Sequence, residues 1–188
     1  METLPEVIRQ CFPSSKPQAQ VGQALLQVIK EHKIRAEDVD FIECDTHEFS
    51  LRRSEARDAH EGQYSLKYCL AVTLLDGQMG LKQMTAERVQ GQDVQAFMSR
   101  LRLVPPPGGA VERRAKERLA VRLKNGQTYA AEVSHPRRIS GKQNLEAKFF
   151  TCADGSLSKE KATELHDTVL QLDKLPEVTK LMDIARCG

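Results

Sequence analysis

The chain has 188 residues, enough for one domain with a substantial buried core, and its 40% hydrophobic and 29% charged residues are typical of a globular protein. Its 28 basic and 26 acidic residues leave a formal net charge of only +2, so the molecule as a whole should not attract nucleic acid. No apolar run approaches the ~20 residues of a membrane span, and the first residues lack the features of a signal peptide. We therefore expect a cytoplasmic protein without membrane contact.

The five cysteines, at positions 11, 44, 69, 152 and 187, predict neither a disulfide framework nor a zinc site, because they are odd in number and share no Cys-x-x-Cys spacing. Cys44 and His47 would point to opposite faces of a strand. Phosphate-binding glycine loops, nucleotide fingerprints and Ser-His-Asp contexts are absent from the sequence. We expect no metal and no cofactor.

The first quarter of the chain predicts a helix followed by a strand. Residues 15–18 have the Ser-x-x-Gln form of a capping box, and Val21, Leu25 and Val28 then form one apolar stripe that ends near residue 32. Residues 38–46 resemble a half-buried strand. Residues 48–63 are charged and irregular, which predicts a long surface loop.

The middle of the chain predicts a central helix. Residues 64–75 are apolar around most of the helix circumference, which indicates complete burial, and Asp76-Gly77 ends the helix. Thr85 is placed to cap a short helix, and Asp93 to cap another that runs through Leu101. The Pro- and Gly-rich residues 105–109 predict a flexible connection within one domain.

The last third predicts a hairpin and then helices. Alternating apolar residues at 119–123 and 129–133 flank Asn125-Gly126, which is typical of a type I′ turn with two positive-φ residues. Residues 144–152 predict a helix, and Ser158 is placed to cap a second one. The whole chain, residues 1–188, is therefore predicted to be a single α+β domain with a small antiparallel sheet packed by helices.

Residues 65–77 read Ser-Leu-Lys-Tyr-Cys-Leu-Ala-Val-Thr-Leu-Leu-Asp-Gly. This segment resembles the Ser-Leu-x-Tyr-x-x-Ala-x-x-Leu-x-x-Gly signature in the C-terminal domain of the MmgE/PrpD family, which includes 2-methylcitrate dehydratase, cis-aconitate decarboxylase and iminodisuccinate epimerase. Three further segments resemble landmarks of the same domain. Residues 12–15 resemble its Lys-x-Tyr-Pro-x-Cys/His entry motif, residues 123–126 its Leu-x-Asp-Gly hairpin, and residues 145–149 its Leu-x-x-Lys-Phe segment. The resemblance implies the fold of the family's second domain.

The chain also departs from the family pattern. Family enzymes add a helical domain that supplies an acid, a threonine and histidines to a shared cleft, and this sequence resembles the second domain alone. Gln10 stands where the entry motif has lysine, and Ser15 where it has cysteine or histidine. We therefore expect that this polypeptide alone does not assemble the family's usual active site.

The resemblance implies that Tyr68 faces the substrate and donates a hydrogen bond or relays a proton. The alternative is a buried tyrosine whose hydroxyl binds the backbone. His60 is a candidate acid or base because an unperturbed imidazole titrates near neutral pH, although an exposed histidine with no role would look the same. His135, Arg137 and Arg138 follow the hairpin and could bind a carboxylate, or could simply be surface charge.

Two functions remain open from the sequence. The first is a stand-alone, cofactor-free lyase, isomerase or cyclase that acts on a small organic acid or secondary metabolite, using mainly positioning and hydrogen bonds. The second is a non-catalytic or complementing subunit that pairs with a separate helical domain. Because the face that meets the helical domain must be covered, we also expect a homodimer or such a partner chain.

Overall fold

The computed structural model describes residues 13–46, 48–105, 118–133 and 142–186. The chain divides into two compact units, residues 1–138 and residues 139–188. The expected single domain spanning both units stays a prediction.

The described part of the first unit contains six helices and four strands in one layered arrangement. The elements are α1 (Lys16–His32), β1 (Val39–Asp45), α2 (Glu48–Arg52), α3 (Ala59–Tyr64), α4 (Leu66–Asp76), α5 (Ala86–Val89), α6 (Gln92–Met98), β2 (Leu101–Val104), β3 (Arg118–Leu123) and β4 (Thr128–Glu132). Short 3-10 turns lie at Ala36–Asp38 and Leu81–Gln83. The predicted α+β class is confirmed.

The strands form one sheet in the order β2-β1-β3-β4. β3 pairs antiparallel with both β1 and β4, as the hairpin pattern predicts. β2 lies parallel to β1, with Ile42 opposite Leu101. The prediction that Asp93 caps a helix running through Leu101 is wrong: α6 begins at Gln92, and the chain turns at residues 99–100 into a short edge strand.

Helix α4 is the centre of the core, as its composition predicts. Eight of its residues are buried, and it packs against α1 and α6. The apolar stripe of α1, at Val21, Leu25 and Val28, and the inner face of the sheet complete the core. Each fully buried aliphatic side chain stabilises the fold by about 2 kcal/mol relative to an exposed one. Gly77 ends α4 with a φ of 65°, a left-handed conformation that favours glycine.

Residues 48–63 do not form the expected loop. They form α2 and α3, which are five and six residues long. Helices this short show less than two turns of apolar periodicity, so they look irregular in the sequence. Asp58 caps α3 by accepting a hydrogen bond from the Glu61 amide at 2.8 Å.

The capping box predicted at Ser15 is also absent. Ser15 is the residue that precedes α1, but its hydroxyl bonds the Gln18 side-chain oxygen and accepts no backbone N–H. Gln18 is fully buried and donates to the main-chain oxygen of Tyr64 at 2.7 Å. The start of α1 is thereby tied to the start of α4 by a long-range contact that spacing does not reveal.

The β3–β4 turn differs from the predicted type I′ turn. Among the described residues outside glycine, only Lys33 has a positive φ, so Asn125 does not adopt one, whereas Gly126 has a φ of 93°. The Gly126 amide donates to Leu123 at 2.9 Å, and the Leu123 amide donates to Gln127 at 2.8 Å. This is the three-residue hairpin in which a type I turn precedes a left-handed glycine.

The second unit contains α7 (Lys142–Ala153), α8 (Lys159–Val169), a 3-10 turn (Leu172–Lys174) and α9 (Thr179–Ala185) in its described part. The predicted helices are confirmed, and Ser158 caps α8 through the Lys161 amide at 3.2 Å. Throughout the described ranges, no helix combines the length and the apolar character that crossing a bilayer requires.

Candidate functional site

The family-like signature begins at Ser65, which caps α4. The Ser65 hydroxyl accepts a hydrogen bond from the Tyr68 amide at 3.1 Å and donates to the main-chain oxygen of Ser54 at 2.5 Å. The side chain is buried, so both bonds are shielded from water. Ser65 therefore fixes the start of α4 and holds the preceding chain against it.

Tyr68 lies inside the core, with no exposed surface. Its hydroxyl donates to the main-chain oxygen of Gln83. Gly62 leaves room for its ring: a β-carbon on Gly62 would lie 3.1 Å from both the Tyr68 ring and the Val89 side chain. Burial is the main cause that raises the pKa of Tyr68 to about 12. The phenol is therefore neutral at physiological pH, and its proton is donated inward in this conformation.

A polar network continues from the residue that Tyr68 contacts. The Gln83 side chain accepts from the Gly80 amide at 2.9 Å and donates to Asp76 at 3.2 Å. Arg88 binds both oxygens of Asp76, at 2.6 and 3.1 Å, and it also binds Asp93 at 2.8 Å. These two carboxylates raise the pKa of Arg88 above its ordinary value, and Arg88 lowers that of Asp93. The network fixes the segment that follows α4.

His60 is exposed on α3, and its nearest ring partner is Tyr64 and not Tyr68. The His60 and Tyr64 rings meet edge to face with centroids 5.3 Å apart. The Arg53 guanidinium carbon lies 5.8 Å from the Tyr64 ring centroid. We call these three side chains the His60–Tyr64–Arg53 cluster. It places an imidazole, a phenol and a guanidinium together at the start of α4.

Sequence reasoning missed two members of this cluster. Tyr64 directly precedes the signature, and this position could have identified it as a candidate site residue. Arg53 lies in the stretch that the sequence predicted as a loop, and only the turn between α2 and α3 brings it back to Tyr64. A neutral imidazole can accept a proton, and a guanidinium can bind a carboxylate. The cluster therefore carries groups suited to an organic acid.

The other predicted site residues, His135, Arg137 and Arg138, lie outside the described residues, so their roles stay predictions. Gln10 and His47 also lie outside the described residues. The cysteines were not predicted to take part in a site. Cys44 and Cys69 are buried, and burial raises the pKa of Cys69. Such a thiol is a poor nucleophile. Among the described residues, no three His, Cys, Asp or Glu side chains converge as metal ligands would.

A second histidine has partners that spacing did not reveal. In the second unit, His166 lies against the rings of Phe149 and Phe150, with centroid distances of 5.7 and 5.3 Å. Its Nδ1 is 2.9 Å from Asp167, and its Nε2 is 3.5 Å from Glu146. The side chain is mostly buried between α7 and α8, which indicates a role in holding these helices together.

The fold and the signature geometry define the class of this protein. The family model of the MmgE/PrpD C-terminal domain matches residues 18–174, and the chain belongs to that family. Three of the four landmarks lie inside the matched range, whereas the entry motif at residues 12–15 precedes it. No curated protein matches the chain.

Proposed function

We propose that this chain is a complementing domain of an MmgE/PrpD-type enzyme, which acts on a small carboxylate together with a separate helical domain. The inward-facing hydroxyl of Tyr68 is the observation that carries this proposal. The resemblance assigns that hydroxyl to the substrate, yet it bonds Gln83 and has no exposed surface. A cytoplasmic location and a partner chain, or a second copy, belong to the same proposal.

In this proposal the chain mainly supplies a folded surface, and most of the catalytic groups come from the helical domain. The signature residues cap α4, fill the core and end the helix, and each of these roles is structural. The surface near the signature offers the His60–Tyr64–Arg53 cluster, which can bind or orient an organic acid. The helical domain would supply the remaining acid and base groups. The surface and the partner together would then form the cleft.

A second candidate is favoured by the same cluster. An exposed imidazole that contacts a phenol, next to a guanidinium, could bind a carboxylate and remove a neighbouring proton without a cofactor. In this reading the chain is a stand-alone lyase, isomerase or cyclase. His60 is then the base, Arg53 binds the acid group and Tyr64 donates a hydrogen bond. Arg137 and Arg138 stay candidate substrate ligands, and His135 stays another.

One experiment separates the two candidates. The purified chain is incubated in D2O with citrate, cis-aconitate or 2-methylcitrate, and exchange of carbon-bound protons and product formation are followed by NMR. The first proposal expects no turnover by the chain alone, and turnover when a helical domain of this family is added at equal concentration. Turnover by the chain alone that is lost in His60→Gln and kept in His32→Gln would overturn it and support the stand-alone enzyme.

A further inference from the structure

A surface cavity of about 370 Å³ lies where the C-terminal end of α1 meets the β3–β4 turn. The 17 residues of α1 span about 25 Å. The opposite end of α1 lies next to α3, because the Ser15 amide donates to Gln63 at 3.0 Å. The cavity is therefore separated from the His60–Tyr64–Arg53 cluster by the length of the helix, and the proposed function does not use it.

One wall of the cavity is a pair of stacked rings. The His32 and Tyr129 rings are nearly parallel, at 19°, and their centroids are 3.9 Å apart. The Tyr129 hydroxyl reaches Gln127 at 3.3 Å, which helps to hold the ring in place. Tyr129 covers one face of the His32 ring, and His32 is nonetheless an exposed residue. A flat ligand ring can stack on the face that Tyr129 does not cover, which we call the open face.

Two ammonium groups stand at the same cavity. Lys33 and Lys124 both line it, and neither side chain makes a hydrogen bond or ion pair with a described residue. The carboxylate of Asp38, which also lines the cavity, is already bound by Arg35 at 2.9 and 3.2 Å. Arg35 also pairs with Glu37 at 3.4 Å. The pKa of Asp38 is lowered by Arg35 and, to a lesser extent, by the charge of Lys124. Positive charge from Lys33 and Lys124 is therefore available for an anion beside a carboxylate that Arg35 already holds.

The backbone of Lys33 gives an independent indication. Lys33 ends α1 with φ 51° and ψ 42°, the left-handed conformation that glycine usually supplies at this position. It is the one residue other than glycine with a positive φ in the described ranges. Backbone preference alone does not explain a lysine there, and such outliers are concentrated at functional positions.

We propose that this cavity binds a small aromatic anion. The flat ring stacks on the open face of His32, and the carboxylate or phosphate attached to the ring lies between the ammonium groups of Lys33 and Lys124. The ligand class follows from the combination: a ring is needed for the stack, and a negative group is needed for the two cations.

The test is a titration of the ¹⁵N-labelled chain, observed by amide NMR, with benzoate and with phenyl phosphate. We expect shifts confined to residues 32–34 and 123–129. Cyclohexanecarboxylate, which has the same charge without an aromatic ring, should bind about threefold or more weakly than benzoate. Inorganic phosphate is the matching control without a ring for phenyl phosphate, and it should also bind more weakly than phenyl phosphate. Equal affinity with and without the ring, or no shift at about 20 mM ligand, would overturn the proposal.

Two lysine variants test the anion contact. Lys33→Gly removes the ammonium group and suits the left-handed backbone, so it should weaken benzoate binding about 2- to 5-fold without lowering the melting temperature. Lys124→Gln should weaken binding similarly, and the double variant by about tenfold. Lys30→Gln is the matched control, since Lys30 is an exposed lysine of α1 outside the cavity. Equal weakening in this control would show non-specific charge attraction and reject the site.

Discussion

The two units bury their apolar side chains to different degrees. In the first, α4 has eight buried residues and lies between other helices and the sheet. In the second, Ala162 is the buried residue of α8 and Ile184 that of α9, whereas Leu170, Val178 and Met182 are each more than half exposed. The family signature lies in the densely packed unit. The signature residues therefore hold the fold of the first unit together. Mutations at these positions should reduce stability more than mutations in the second unit.

The largest expected effect tests this difference directly. Leu70→Ala leaves a cavity in the core around α4 and should lower the free energy of unfolding by about 2–5 kcal/mol. Leu170→Ala, at a residue that is 55% exposed, should change it by less than about 0.5 kcal/mol. Urea unfolding measures both variants. Similar losses in the two would contradict the contrast between the units.

The next effect concerns the ion pairs that follow α4. Arg88→Leu leaves Asp76 mostly buried without its cation, and we expect a loss of about 2–3 kcal/mol in unfolding free energy. Arg57→Leu is the control, because its pair with Glu61 is 3.7 Å long and the Arg57 side chain is 87% exposed. A control variant as unstable as Arg88→Leu would show that burial does not decide the strength of these pairs.

Tyr68→Phe tests which role the signature tyrosine has. It removes the bond to Gln83 and leaves a buried carbonyl without that donor, so stability should fall by about 1–2 kcal/mol. Turnover measured with the helical domain present should change little if the hydroxyl is structural. Unchanged stability together with a large loss of turnover would instead assign the hydroxyl to the substrate.

The same hydroxyl predicts a pH dependence. The pKa of Tyr68 is raised from 10.0 to about 12 in the fold, so folding favours the protonated phenol. The stabilisation of the fold by the protonated phenol is fully present below about pH 10. It is lost as pH rises through about 12, and the free energy of unfolding then falls by up to about 2 kcal/mol. Tyr68→Phe should flatten the plot of unfolding free energy against pH between about pH 10 and 12. Tyr64→Phe, at a partly exposed ring, should leave it as it is.

The smallest effect tests the edge of the sheet. Gly126→Ala places a β-carbon on a residue with φ 93° and should destabilise the fold by about 1 kcal/mol. Asn125→Ala loses two exposed side-chain bonds, one accepted from the Gln127 amide at 2.9 Å and one donated to the Gln127 side chain at 3.0 Å, and should cost about half as much. Equal costs would favour the type I′ turn that the sequence predicts.

The class, the main helices and the hairpin strands of this protein follow from local patterns in the sequence. Residues 64–75 are apolar around most of the helix circumference, which indicates a buried helix, and the alternation at 119–123 indicates a half-buried strand. The signature serine and glycine could be read in the same way, because they cap the two ends of α4 and such caps depend on local spacing.

The directions in which the polar groups of the signature point depend on tertiary packing. Tyr68 was recognisable in the sequence, but its acceptor lies 15 residues further along the chain, and no periodicity reports such a bond. The same holds for Gln18, which bonds Tyr64 across 46 residues, and for the His32–Tyr129 stack. Local pattern records which face of an element is apolar. Which polar groups meet inside the fold depends on how distant elements pack, and that information is not periodic.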